Sequence, residues 1–257
     1  MKDFFFGLLV PYHGFKRIFG DSKLRALSIV PLAVSVFVGA VLTVVAIYAL
    51  AGIIGYFSIQ VGALLSLAPG GFWLGFITFL MWPIGLLIVG ASVYVTVRLI
   101  AAPFYAYLAE QTLVRLGARQ DKPFVLREWL WLSCRMLAVS LIRAVLFVLA
   151  GCILFAVSLI PGLNVVATIG FMYMVAFDIS DYGFEAMEWS LSQRFQHVRK
   201  NRISYSGVAF GMGAAMLVPG LNLVLLPAAI VGSCEVLQRT TANQIATDQD
   251  VAEQAQV

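Results

Sequence analysis

The feature that most constrains this chain is a stretch, residues 26–97, that contains no Asp, Glu, Lys or Arg. A helix rises about 1.5 Å per residue and the hydrocarbon core of a bilayer is about 30 Å thick, so about 20 apolar residues span it. The stretch is therefore long enough for two crossings and a turn. The composition agrees, because the chain is 61% hydrophobic and 12% charged, whereas soluble chains are typically about 25% charged. Both observations indicate one all-α integral membrane domain that occupies residues 1–257.

Two further runs, 144–177 and 203–234, also lack charged residues. Each of the three runs has a Pro-Gly pair near its middle, within LAPGG at 67–71, PGLN at 161–164 and PGLN at 219–222. Pro and Gly interrupt helices, so each run is predicted to be a helical hairpin. The turns are uncharged, which places all charged segments on one face: 1–25, 98–143, 178–202 and 235–257. Since the first two are rich in Lys and Arg, this face and both termini are predicted to be cytoplasmic.

The length of the arms distinguishes the hairpins. Each arm of 26–97 has about 30 residues, or about 45 Å of helix, which crosses a bilayer. Each arm of 144–177 and 203–234 has only about 14 or 15 residues, or roughly 22 Å. The predicted fold therefore has two long transmembrane helices and two re-entrant hairpins that penetrate the membrane partway. Interfacial helices are expected within 1–25 and, around two tryptophans, at 128–143; 178–202 is expected to be a cytoplasmic segment and 235–257 a polar tail.

The tips of the two short hairpins share the sequence PGLN. Paired interrupted helices in membrane proteins often mark a binding or conduction site, so Gly162, Asn164, Gly220 and Asn222 are candidate pathway residues. Uncharged tips could stabilise a passing anion through backbone N–H groups at the start of the second arm. The alternative is that both tips are simple turns, with Gly for the conformation and Asn capping the next helix.

The start of the first long helix is a candidate anion site. Asp21 or Ser22 can cap this helix, and the N–H groups of its first turn then lie beside Lys23 and Arg25. Helix N-termini favour anions through these N–H groups and the helix dipole. The alternative is that Lys23 and Arg25 only anchor a transmembrane helix at the cytoplasmic interface, as is common in membrane proteins.

Enzyme motifs are scarce, so no catalytic residue, metal or cofactor is assigned. His13 and His197 are the two histidines, fewer than the three or four ligands that a metal site needs. The acidic stripe at 178–188 is interpreted as a solvated face or as partners for nearby arginines rather than as a cation site: Asp178, Asp181, Glu185 and Glu188. The net charge of +4 is explained by cytoplasmic loops, so no nucleic-acid partner is expected.

Three segments carry a resemblance to a known family: SKLRALSIVPL at 22–32, APFYAYLAE at 102–110, and PGLN at 219–222 with the following 227–234. In order and spacing these segments resemble the CysZ-type proteins. The resemblance implies a sulfate-permeable, multi-pass bacterial inner-membrane protein that serves cysteine biosynthesis, with the fold described above and homo-oligomeric assembly. It also implies that sulfate is held by backbone amides and arginine at Lys23, Leu24 and Arg25. The chain departs from the family's Gly-Leu-Arg pattern at Lys23, in the Gly position, and at Ala26, where a second Arg can follow.

The function predicted from these observations is a sulfate or related oxyanion channel or facilitator, without ATP and without covalent chemistry. The alternative is a non-conducting membrane scaffold or regulatory protein of the same fold. An enzyme acting on lipids is disfavoured because no nucleophile and base pair is evident.

Overall fold

The computed structural model describes residues 1–66, 71–120, 145–216 and 221–254, with the side chains of the last range described for 225–246. All secondary structure in these ranges is helical, as predicted. The helices are α1 (Lys2–Leu8), α2 (Val10–Gly20), α3 (Ser22–Leu64), α4 (Phe72–Arg115), α5 (Val145–Ser158), α6 (Asn164–Ala186), α7 (Leu191–Lys200), α8 (Arg202–Met216) and α9 (Leu221–Gln254). The predicted helix at 128–143 lies outside the described residues.

The chain divides into two compact units, Ala33–Ala101 and Met1–Leu32 with Ala102–Val257. Within the first unit, the arms of α3 and α4 approach each other at small residues. A Cβ on Gly85 would lie 2.5 Å from Leu50 Cδ1, and one on Gly62 would lie 3.3 Å from Leu74 Cδ2. The later residue of α3 contacts the earlier residue of α4, and the earlier residue of α3 contacts the later one, so the two arms are antiparallel. The predicted hairpin is therefore present.

Helices α3 and α4 have 43 and 44 residues, or about 65 Å each. Together with α6, they are the three helices in the described part of the chain that are long and apolar enough to cross a membrane. Large side chains on α3 are highly exposed, as with Phe37 at 71% and Tyr48 at 77%. A helix that is apolar all round and unburied suits lipid contact. The chain is thus a membrane protein, and the prediction of two long transmembrane helices is confirmed by length and composition.

In each short hairpin, the first arm has about the predicted length. Helix α5 ends before the PGLN turn at 161–164, and α8 has 15 residues. Their second arms are longer than predicted, because α6 has 23 residues and α9 has 34. Helix α6 continues into the segment expected to be cytoplasmic, and α9 continues into the expected polar tail as far as Gln254. That both hairpins are re-entrant stays a prediction.

The second arms continue past charged residues, and on each arm one of these residues forms an ion pair with another helix. Asp181 on α6 lies 2.5 Å from Arg194 on α7, measured from Oδ1 to Nη1, with side chains 2% and 9% exposed. Arg194 Nε also donates to the Trp189 carbonyl oxygen at 2.9 Å. On α9, Glu235 pairs with Arg17 of α2. The Asp181 contact supports the interpretation of the acidic stripe as ion-pair partners.

Helices α1 and α2 pack against α8 and α9 with almost no space between the backbones. A Cβ on Gly7 would lie 2.1 Å from the Ser204 carbonyl oxygen, and one on Gly14 would lie 1.7 Å from that of Ala228. The N-terminal segment is therefore part of the packed core of its unit on this side. On another side, Phe19 is 68% exposed and available for the predicted interfacial contact.

His197 on α7 is buried. Its Nε2 lies 2.9 Å from the Thr240 hydroxyl, and its ring packs on Trp189 at 4.9 Å between centroids. Burial lowers the pKa of His197 from 6.5 to about 4, with the Lys200 ammonium acting in the same direction and a hydrogen bond with Gln244 opposing it. The unfolded chain then binds the proton first as the pH falls.

We therefore expect the stability contributed by neutral His197 to be complete above pH 6.5 and lost as the pH falls towards 4. The unfolding temperature in detergent should be lower at about pH 5 than at about pH 7.5, and His197→Gln should shrink that difference. An unchanged pH dependence in the variant would contradict this assignment.

Candidate anion site at the head of helix α3

Asp21 caps the N-terminus of α3, which was one of two caps predicted. Its Oδ1 accepts the backbone N–H of Lys23 at 2.9 Å and that of Leu24 at 3.3 Å. A capping carboxylate satisfies donors that have no partner within the helix and interacts favourably with the helix dipole. The structure thus differs from the expectation in one respect: these two N–H groups already hold an anionic group, which is the protein's own.

The three residues predicted to bind sulfate have different surroundings. Leu24 is fully buried and packs in a cluster of apolar side chains: Ile18, Leu108, Ala228 and Val231, with Phe15 and Leu27 at its edge. Lys23 and Arg25 are exposed. Residues two apart on a helix do not face each other, so these side chains point in different directions. Arg25 donates its N–H to the Asp21 carbonyl oxygen at 3.0 Å, so Arg25 lies one turn above Asp21 on the same side.

Arg115, the last residue of α4, brings a second cation to this helix start. Its Nε lies 2.6 Å from Asp21 Oδ2. Its Nη1 is buried and has no hydrogen-bond partner among the described residues. Burial alone would raise the pKa of Asp21, but the N–H groups of Leu24 and Lys23 and the Arg115 guanidinium together hold it below its usual value. Asp21 is therefore ionised at neutral pH.

A cleft of about 600 Å³ opens beside this pair. It is lined by residues from α2, from the α2–α3 junction, and from the α4 and α9 helices: His13, Lys16, Arg17, Gly20, Asp21, Arg115 and Glu235. Three of these side chains are cationic and two are carboxylates. Each carboxylate is already paired, Asp21 with Arg115 and Glu235 with Arg17.

Two buried donors or acceptors in the cleft lack partners in the described structure, Arg115 Nη1 and His13 Nδ1. A buried polar atom without a partner is costly and is usually satisfied by water or a ligand. Guanidinium groups suit oxyanions because their N–H groups form two parallel bonds. The arrangement is thus chemically suited to a small oxyanion and offers no nucleophile next to a base.

Sequence reasoning found the helix start and its cap but missed the cleft. Arg115 and Glu235 stand at the ends of charge-free or helical stretches, where a basic or acidic residue is ordinary. Arg17 and Glu235 are 218 residues apart, so no local spacing joins them. Only the packing of α2 against α9 brings them together.

The hairpin tips do not line this cleft in the described structure. Gly162 has φ +89°, a conformation that favours glycine, as the turn interpretation predicts. Asn164 is exposed and is the first residue of α6, and the capping position is Leu163 without a side-chain cap. The expectation that Asn caps the next helix is therefore wrong at this tip. Gly220 lies outside the described residues, and Asn222 lies in α9 without a described side chain.

Comparisons with known proteins show the family of the chain. The family model described as sulfate transporter CysZ/etoposide-induced protein 2.4 matches residues 11–227. The chain belongs to this family. It is 29% identical over 219 residues to a sulfate transporter CysZ of Pseudomonas paraeruginosa (strain DSM 24068 / PA7), covering 82% of this chain and 85% of the relative. It is 30% identical over 222 residues to a sulfate transporter CysZ of Pseudomonas fluorescens (strain Pf0-1), covering 82% and 84%. The match includes α2, the head of α3 and Arg115, so the cleft lies largely within the family region.

Proposed function

We propose that this protein is a sulfate channel or facilitator of the bacterial inner membrane and supplies sulfate for cysteine biosynthesis. Membership of a family whose named relatives are sulfate transporters carries the proposal. The cationic cleft at the head of α3 gives it a physical basis, and the long apolar helices give the protein a place in a membrane. Neither ATP nor covalent chemistry is needed for such a role.

In the proposed site, Arg25 and Arg115 supply the charge and the N–H groups of Lys23 and Leu24 supply directed hydrogen bonds. A helix N-terminus and a guanidinium both favour oxyanions, and together they distinguish an anion from water. Lys23 contributes its backbone N–H and also its charge, since its ammonium helps to lower the pKa of Asp21. Lys16 lines the cleft and attracts anions by its charge, without a directed hydrogen bond in this proposal.

We propose that Gly162, Asn164, Gly220 and Asn222 lie along the route at the hairpin tips, where uncharged N–H groups pass an anion on. The charged loops and both termini face the cytoplasm in this proposal, since Lys and Arg accumulate there. In this proposal the protein is a homo-oligomer in the bilayer, and neighbouring subunits supply the rest of the surface that lines the route.

Uptake of radiolabelled sulfate into liposomes that contain the purified protein tests the proposed function. Uptake above that of protein-free liposomes is expected, and it should be diminished by excess unlabelled sulfate. No uptake together with no sulfate binding in detergent would overturn the proposal. It would favour the alternative of a non-conducting scaffold or regulatory protein, which the named relatives do not support.

Arg25→Ala should weaken sulfate binding by roughly 10- to 150-fold, because a charge-assisted hydrogen bond contributes about 1.5–3 kcal/mol. Calorimetry in detergent measures this, with the membrane level checked by blot. The matched control is Arg199→Ala, an exposed arginine on α7 that is not part of the head of α3. Lys23→Gly keeps the backbone N–H and should bind at least as well as the parent. Parent-like affinity in Arg25→Ala would make Arg25 an interfacial anchor only.

A further inference from the structure

Asp21 occupies the donors that the proposed sulfate site requires. Its Oδ1 accepts from both N–H groups at the head of α3, and its Oδ2 lies 2.6 Å from Arg115 Nε. A carboxylate and a sulfate oxygen accept the same kinds of hydrogen bond. Both anions cannot use these donors at once, and two anions in contact repel each other. Sulfate must therefore displace the Asp21 carboxylate in order to bind here.

Asp21 is placed so that displacement needs only a side-chain rotation. Its side chain is 31% exposed and borders the cleft, and an Asp carboxylate moves between rotamers without moving the backbone. Rotation would release two N–H groups and Arg115 Nε, and the same guanidinium carries Nη1, which is buried and has no partner in the described structure. The cleft has room for the ion at about 600 Å³.

We infer that Asp21 is a tethered competitor that sets the affinity of the site, holding the anion-binding groups of α3 and Arg115 until sulfate displaces it. The inference rests on the proposed function. A competitor of this kind would suit a channel, because conduction requires that the ion bind well enough to enter and weakly enough to leave. Asp21 would keep the sulfate affinity of the site moderate. The low pKa of Asp21 supports the inference, because the competitor stays charged at neutral pH.

Asp21 differs in its contacts from Glu235, the other carboxylate of the cleft. Glu235 is paired with Arg17, and it holds neither the N–H groups of α3 nor Arg115. Asp21→Asn and Glu235→Gln each remove one negative charge from the same cleft. If only the net charge of the cleft mattered, the two variants would bind sulfate equally well. If Asp21 competes directly, Asp21→Asn should gain far more.

The test is sulfate affinity of the full-length protein in detergent, measured by calorimetry for the parent, Asp21→Asn and Glu235→Gln. Asn is a good N-cap, so α3 should keep its start. Asp21→Asn should bind sulfate at least about tenfold more tightly than the parent, because a weak neutral acceptor replaces a charged one. Glu235→Gln should gain clearly less. Ser is also a good N-cap and has no carboxylate, so Asp21→Ser should bind sulfate as tightly as Asp21→Asn. Agreement between the two variants would show that the gain comes from loss of the carboxylate.

Uptake into liposomes gives a second readout. In Asp21→Asn, half-saturation should fall to a lower sulfate concentration, and the rate at saturating sulfate should fall as well because release is slower. Equal affinity of the parent and both Asp21 variants would overturn the inference while leaving the proposed function intact, provided that Arg25→Ala still weakens binding. Equal gains in Asp21→Asn and Glu235→Gln would also overturn it. Absence of sulfate binding in the parent and in every variant, together with absence of uptake, would overturn the proposed function itself.

Discussion

Gly14→Ala should destabilise the folded protein by about 3 kcal/mol, near the upper end for overpacking of a well-packed core. The added Cβ would lie 1.7 Å from the Ala228 carbonyl oxygen and 2.5 Å from its carbon. The obstacle is backbone, so no side-chain rotation relieves it, and α2 must move away from α9. That movement would also pull Arg17 from Glu235 and widen the cleft.

The control is Gly20→Ala on the same helix. A Cβ on Gly20 meets nothing within 4 Å, and replacing Gly by Ala within a helix usually stabilises it by about 0.5–1 kcal/mol. Thermal unfolding in detergent should therefore show a lower midpoint for Gly14→Ala, by roughly 6–12 °C at 2–4 °C per kcal/mol, and none of this loss for Gly20→Ala. Similar midpoints for both variants would mean that α2 does not approach α9 as closely as described.

The long helices could be predicted from sequence because lipid imposes a simple condition on composition. A segment that contacts hydrocarbon must be apolar and must satisfy its own backbone hydrogen bonds, which a helix does. The charge-free run 26–97 meets that condition along its whole length. The turn at Gly162 was predictable for a similarly local reason, since a positive φ suits glycine. Local chemistry also identified Asp21 as a possible cap.

The ends of α6 and α9 could not be predicted in this way. The first charged residues were expected to end the apolar arms, yet both helices continue through them. Ion pairs with distant residues, Arg194 for Asp181 and Arg17 for Glu235, make such charges tolerable in a packed helix. The cleft also depends on packing between residues distant in sequence, so no sequence motif indicated that Arg115 belongs to it.

Asp181→Ala should destabilise the protein by about 3–5 kcal/mol, because it leaves the Arg194 guanidinium buried without its carboxylate. The pair is almost fully buried, at 2% and 9% exposure, and its Oδ1–Nη1 distance is 2.5 Å. The remaining bond from Arg194 Nε to the Trp189 carbonyl oxygen does not neutralise the charge. Loss of the pair removes a buried contact between α6 and α7, so the unfolding midpoint in detergent should fall accordingly.

An exposed pair and a double variant separate this effect from the loss of any ion pair. Asp3 and Arg239 lie 3.2 Å apart with side chains 51% and 43% exposed, so Asp3→Ala should cost at most about 1 kcal/mol. Replacing both buried partners, as in Asp181→Leu with Arg194→Met, should recover most of the stability that Asp181→Ala loses, since apolar groups of similar size often substitute for a buried pair. If the double variant were as unstable as Asp181→Ala, the cost would lie in contacts of the Asp181 carboxylate other than the one with Arg194.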